Sequence, residues 1–124
     1  MSEPMAAIET EKSLLSALML KDGEAISQVE GLIAPEDFYR QEHKIIYGAL
    51  ERLYGRGAAI NVLLVENELR STDELKKVTR RYLFSLVNLE HTTGRVVNYA
   101  NIIREKAYKR RLIEVGHELS EAAS

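Results

Sequence analysis

Apolar residues recur along this chain at steps of three and four, with no sustained alternation of two bounded by turn signals. That periodicity predicts an all-α fold. Leu14, Leu15 and Leu18, with Ala7 and Ala17, make one face of a helix expected from Ala6 to Leu20, with Glu9, Glu11 and Lys12 toward water. Lys21-Asp22-Gly23 ends it, Gly23 taking a left-handed cap. A short helix over Glu24 to Glu30 is expected to bury Ile26 and Val29. Ile46, Leu50 and Leu53 define a helix from Gln41 to Tyr54, stopped at Gly55-Arg56-Gly57. Asn61 is a good N-cap for a helix from Val62 to about Arg70 with Val62, Val65 and Leu69 inward and Leu64 beside them. Thr72 is expected to cap a weak turn through Leu75 and Val78, and Tyr82, Leu83, Leu86 and Val87 mark the buried side of a helix from Arg80 to Leu89.

Between these helices lies the stretch with the most local information, Ala34-Pro35-Glu36-Asp37-Phe38-Tyr39. Pro35 has the φ of a first helical position and no N–H to lose. Glu36 and Asp37 follow where carboxylates favour the positive end of the helix dipole. Phe38 and Tyr39 then supply two large rings. The stretch reads as a one-turn helix and a corner anchored in the core by this aromatic pair.

The last element differs in length. From Arg95 to about Ala122 only Gly116 is a strong breaker, and Thr92 or Thr93 is a plausible cap. Tyr99, Ile102, Ile103, Ala107, Leu112, Val115, Leu119 and Ala122 recur at helical steps. About 28 residues give a rod on the order of 42 Å long, which must project beyond a small domain. Part of its apolar stripe is then an interface. Ile113 and Leu119 are the candidate partner contacts, with Tyr82 on the preceding helix as a third that could equally be core. The expected architecture is a small bundle of about six helices followed by a long projecting helix.

Composition narrows the function. The 124 residues suit one domain, 45% hydrophobic and 29% charged. No cysteine is present, which removes disulfides, thiolate metal sites and thiol nucleophiles and fits a cytoplasmic setting. No stretch approaches the roughly 20 apolar residues of a membrane span, and the N-terminus lacks a signal-peptide pattern. Residues 1–70 carry 7 Lys and Arg against 12 Asp and Glu, while residues 71–124 carry 10 against 7. The cluster Arg104, Lys106, Lys109, Arg110 and Arg111 is the strongest basic run, with only Tyr108 interleaved as a stacking ring. It reads first as a solvated helix face with i,i+4 pairs such as Glu105–Lys109, and second as a contact for a partner protein or passing DNA.

Catalytic and metal chemistry find little support. His43 lies near Glu42 and Asp37 in sequence, but reads as a helix-face histidine hydrogen-bonded near the Phe38–Tyr39 corner rather than a general base. His91 and His117 have no ligand spacing. No catalytic residue, cofactor site or metal site is assigned.

The chain resembles the N-terminal domain of DnaB-family replicative DNA helicases. The resemblance is carried by Ile8-Glu9-Thr10-Glu11 before Leu14-Leu15, by Pro35 to Tyr39 with His43 and Ile46, and by Leu53-Tyr54, Gly57, Ile60 and Leu69. Tyr82-Leu83 with Leu86, Asn98-Tyr99-Ala100, Ile102 to Ala107 and Arg110 to Ile113 continue it in order. The chain departs from the family at Ser16, where Gly is usual, at Ala59 and Asn61, where Pro and Asp are usual, and at Thr79-Arg80, in place of Gly-Gly; the usual Pro before Gly94 is missing. These departures suggest a diverged member.

The resemblance implies a collar domain that assembles and recruits proteins during DNA replication. Residues 1–91 would form its globular part, and residues 92–124 the first arm, truncated, of a dimerisation and partner-binding helical hairpin. Pairs of such domains build the collar of a hexamer in the primosome, which binds primase and a helicase loader. The chain has no Gly-x-x-x-x-Gly-Lys-Ser/Thr loop, so it is not expected to be an enzyme by itself. ATP, magnesium and DNA would belong to the full-length helicase. The alternatives are a stand-alone helical adaptor or helicase regulator, and a basic helical nucleic-acid-binding module.

Overall fold

The computed structural model describes residues 3–123, with side chains from Ala7 to Ala123, and contains six α-helices and three 3₁₀ turns. The helices are α1 (Glu3–Leu18), α2 (Gln41–Gly55), α3 (Val62–Ser71), α4 (Leu75–Val78), α5 (Arg80–Ser85) and α6 (Val96–Ala123). The turns are Lys21–Gly23, Ile26–Gln28 and Pro35–Asp37. Among the described residues there is no strand. The start of the expected first helix at Ala6 has its side chain outside the described set, as does Ser124.

Leu14, Leu15 and Leu18 of α1 pack with Ile46, Leu50 and Leu53 of α2, Val65 and Leu69 of α3, and Leu83 of α5 in one core. α1 makes its widest contact with the first half of α6, and α2 lies against α3 and the Pro35 turn. Phe38 is fully inside, its ring 5.0 Å from that of Tyr47. Full burial of such rings contributes on the order of 2–3 kcal/mol each relative to exposure.

Several local signals act as the residues suggest. Asn61 has extended backbone and its side chain accepts the Leu64 N–H at 3.0 Å, starting α3. Gly23 has φ +86°, and a Cβ there would meet Ile60 Cβ at 2.5 Å, so both its conformation and its neighbour require glycine. The Asp22 carbonyl accepts the Ile60 N–H at 3.0 Å, stitching this turn to the loop before α3. Ser16 is buried and its hydroxyl accepts the Glu90 N–H at 3.0 Å.

Other expectations are corrected. α1 ends at Leu18, two residues early: Leu20 is extended, and Lys21 and Asp22 then adopt positive φ. The stretch from Glu24 to Glu30 forms only the Ile26–Gln28 turn, although Ile26 and Val29 are buried. A segment that short between glycines cannot offset the cost of nucleating an α-helix. Thr72 does not cap α4; its hydroxyl points back to the Glu68 and Leu69 carbonyls and to the Glu74 carboxylate. α5 stops at Ser85, with buried Leu86 in the turn that follows. Tyr39 is 44% exposed and is not a core anchor, and Glu11 is 0% exposed rather than facing water.

Candidate partner-binding surface

Glu11 explains how the Pro35 corner is held. It lies in α1 between Ala7 and Leu14 and so shares their buried face. Its carboxylate accepts the Tyr39 N–H at 2.6 Å, the Arg40 N–H at 3.4 Å and His43 Nδ1–H at 2.6 Å. The corner therefore supplies donors that would otherwise be buried unpaired, at a cost of about 1–3 kcal/mol each. His43 is also fully buried, and its Nε2 lies 2.6 Å from the Tyr82 hydroxyl. With Nδ1 as the donor to the Glu11 carboxylate, Nε2 and the Tyr82 hydroxyl extend the contact into a chain of hydrogen bonds. Burial pushes the Tyr82 phenol above its ordinary range. The Tyr82 ring stacks on His43 at 5.8 Å and lies under the Arg40 guanidinium at 5.5 Å. The partner of His43 is thus Glu11, 32 residues away, and neither Glu42 nor Asp37. Glu42 instead binds Arg40, whose hydrogen bond holds the Glu42 carboxyl below the usual carboxylate range.

The sequence places five basic residues at 104–111, and the structure treats them differently. Arg110 donates to the Asp37 carbonyl at 2.8 Å and lies 5.3 Å from the Tyr39 ring centroid. Arg111 pairs with the Asp37 carboxylate. Lys109 pairs with Glu105 at 3.5 Å, the i,i+4 partner expected of it. Arg104 is exposed and Lys106 half-buried. The cluster is therefore no continuous basic strip, since two of its members are committed to the corner.

α6 is buried only at Val96, Ala100, Ile103 and Ala107. From Arg111 to Ala123 every residue is exposed. Tyr108, Leu112, Val115 and Leu119 project from this half at steps of four, three and four, and each is at least half exposed. That spacing is the seam a second helix packs against in a coiled coil. Leu119 lies on the seam, 66% exposed; Ile113, equally exposed, lies about 100° further round the helix than Leu112. The structure thus puts Ile113 and Leu119 on different faces of one arm. Tyr82, the third candidate, is half-buried on α5 against α2. Leu112, Val115 and Leu119 were legible in the sequence as part of a longer stripe and Tyr108 only as a ring within the basic run, while the Glu11–His43–Tyr82 chain was missed. Its signal was a carboxylate in apolar register at position 11.

Among the described residues no helix is long and apolar enough to cross a membrane, and no group of three or more His, Cys, Asp and Glu is placed to hold a metal ion.

Comparison with known proteins agrees with this arrangement. The replicative DNA helicase DnaC of Bacillus subtilis is 34% identical over 119 residues, 95% of this chain and 26% of that protein. The replicative DNA helicase DnaB of Leifsonia xyli is 35% identical over 112 residues, 90% of this chain and 24% of that protein. The chain spans about a quarter of the length of these relatives. The crystal structure of the N-terminal domain of DnaB helicase from Mycobacterium tuberculosis superposes with a TM-score of 0.86 at 34% identity, covering 92% of this chain and 81% of that one. The N-terminal domain of the Helicobacter pylori DnaB helicase, described with its interactions with primase, shares the fold at 17% identity, with a TM-score of 0.79 over 97% of this chain and 94% of that one. The family model for the DnaB-like helicase N terminal domain matches residues 3–105. The chain, with its buried corner and projecting helix, belongs to the DnaB-like helicase N-terminal domain family.

Proposed function

We propose that this domain assembles and recruits proteins for a replicative hexameric DNA helicase, as part of its collar, and that it binds primase through the projecting half of α6. The observation that carries this reading is the exposed seam of Tyr108, Leu112, Val115 and Leu119, with Ile113 beside it. Uncovered apolar side chains at coiled-coil spacing favour a helical neighbour, whether the second arm of a hairpin or a helix of a bound partner. Residues 92–124 act as the first arm in this reading, with pairing of domains at the hairpin. A helicase loader would use the same projecting element. Unwinding, with ATP, magnesium and DNA, belongs to a motor outside this chain, working in the cytoplasm. The Helicobacter pylori relative's interactions with primase favour primase as the partner to test first.

The test is binding of this domain to the primase of the same organism, with Ile113→Glu and Leu119→Glu. Because both positions are exposed, each variant should melt as the parent does. Affinity should fall about tenfold or more, a loss of roughly 1.4 kcal/mol. Unchanged affinity, or loss of the fold, would reject the assignment. The nucleic-acid alternative gains nothing from Arg110 and Arg111, which are held on Asp37.

A further inference from the structure

α6 stands on a narrow footing. Of its four buried residues, Ala100 and Ala107 present a single methyl each. From 96 to 107 that footing is roughly 16 Å long, and the exposed stretch from 112 to 123 is about as long again. Small play at the base would therefore swing the tip widely.

The corner meets the helix just beyond its last buried residue. Arg110 and Arg111, about 100° apart around the helix, reach the same residue from two sides. One donates to the Asp37 carbonyl at 2.8 Å, and the other pairs with the Asp37 carboxylate. Asp37 is itself fixed, because it is buried and its second carboxylate oxygen accepts the Ala34 N–H at 2.9 Å. Tyr39 completes the contact, its ring 5.3 Å from the Arg110 guanidinium. The contacts extend the footing by roughly 6 Å, from Ala107 to Arg111.

We infer that the Pro35–Tyr39 corner is a socket for α6, and that Asp37 is the positioning residue that sets the direction of the arm. Its functional consequence rests on the reading of the arm as the recruitment surface: a pre-oriented arm loses less freedom when a partner docks. The socket itself is independent of any partner.

Because the chain has no cysteine, spin labels can be placed on the full chain at Gln28→Cys and Glu118→Cys, both exposed. Pulsed electron paramagnetic resonance then reads the spread of distances between head and arm. Parent protein should give one narrow distribution. Arg110→Gln with Arg111→Gln should widen it at least about twofold, with helical content by circular dichroism unchanged. Arg111→Lys, which keeps a charge on Asp37, should widen it less. Asp37→Asn should resemble the double variant, and the arginine changes keep the test sound if that substitution disturbs the corner. An unchanged width in the double variant would overturn the socket, since packing of residues 96–107 would then suffice. Widening that tracks a loss of helix would overturn it as well, because the arginines would then merely prevent fraying. Primase binding by the same samples separates the two readings: absent binding by the parent rejects the recruitment role, whatever the distance data show.

Discussion

Thr79 holds a strained backbone position, with φ 70° and ψ 146° in a β-branched residue. Such a conformation is nearly confined to glycine and costs about 1–3 kcal/mol. Threonine returns part of the cost, since its hydroxyl accepts the Tyr82 N–H at 3.1 Å and so caps α5. Glycine is only a few tenths of a kcal/mol worse as a cap. Thr79→Gly should therefore stabilise the domain by about 1 kcal/mol and raise its Tm by a few degrees; a lower Tm would show that the cap outweighs the strain. Glu11 lies at the opposite extreme, a buried carboxylate with every contact favourable. Glu11→Ala leaves the donors of Tyr39, Arg40 and His43 unpaired, and should cost roughly 3–5 kcal/mol. Glu11→Gln keeps an acceptor and should cost visibly less. A thermal melt of Glu11→Ala within a degree of the parent would contradict the structural role given to this residue.

At the scale of elements, helix starts are local and helix fates are not. Asn61 caps α3 with atoms three residues apart, so Asn61→Ala should destabilise the domain by about 1 kcal/mol without moving any other element. Denaturant melts with an unchanged m-value would confirm that narrow effect, and a changed m-value would contradict it. α6 is one helix by sequence and two environments by structure. Amides from Val96 to Ala107 share a face with α1, whereas those beyond Arg111 depend on helical hydrogen bonds alone. Hydrogen exchange should divide the helix near Arg111, slow before and fast after. Uniform protection along the whole rod would mean that the outer half is covered in solution.

At the scale of the molecule, ion pairs tie together at the surface helices that also meet in the core. Glu68 of α3 accepts from Arg52 of α2 and from Arg56 just past its end at 2.6 Å each, and Arg52 also reaches Glu74 at 3.2 Å. Glu66 binds Arg80 at 2.6 Å and Arg70 at 3.2 Å. Hydrogen bonds from Arg56 and then Arg52 hold the Glu68 carboxyl below the usual carboxylate range. A carboxyl depressed in the folded state stabilises it at pH values above its unfolded pKa. That contribution disappears as pH falls through the folded value. Glu68→Gln should thus lower the Tm near neutral pH, with the gap to the parent closing in acid. A gap that stays constant with pH would mean that the loss comes from packing.

The core and its helices were legible because their causes are local. Leu14, Ile46, Leu50 and Leu69 repeat at helical steps, Pro35 opens its turn, and Glu105 finds Lys109 one turn on. Each depends on geometry within a few residues of itself. Glu11 and Tyr39 were misplaced because their surroundings come from far along the chain. A carboxylate reads as surface until donors 28 to 32 residues away converge on it. A ring reads as core until the packed chain leaves it 44% exposed beside Arg110, more than 70 residues on. The apolar stripe of α6 was visible in the sequence, but the share of it that is buried was not. Periodicity defines the face of a helix; only the packed neighbours, here α1 and the Pro35 corner, decide how far along that face the domain extends.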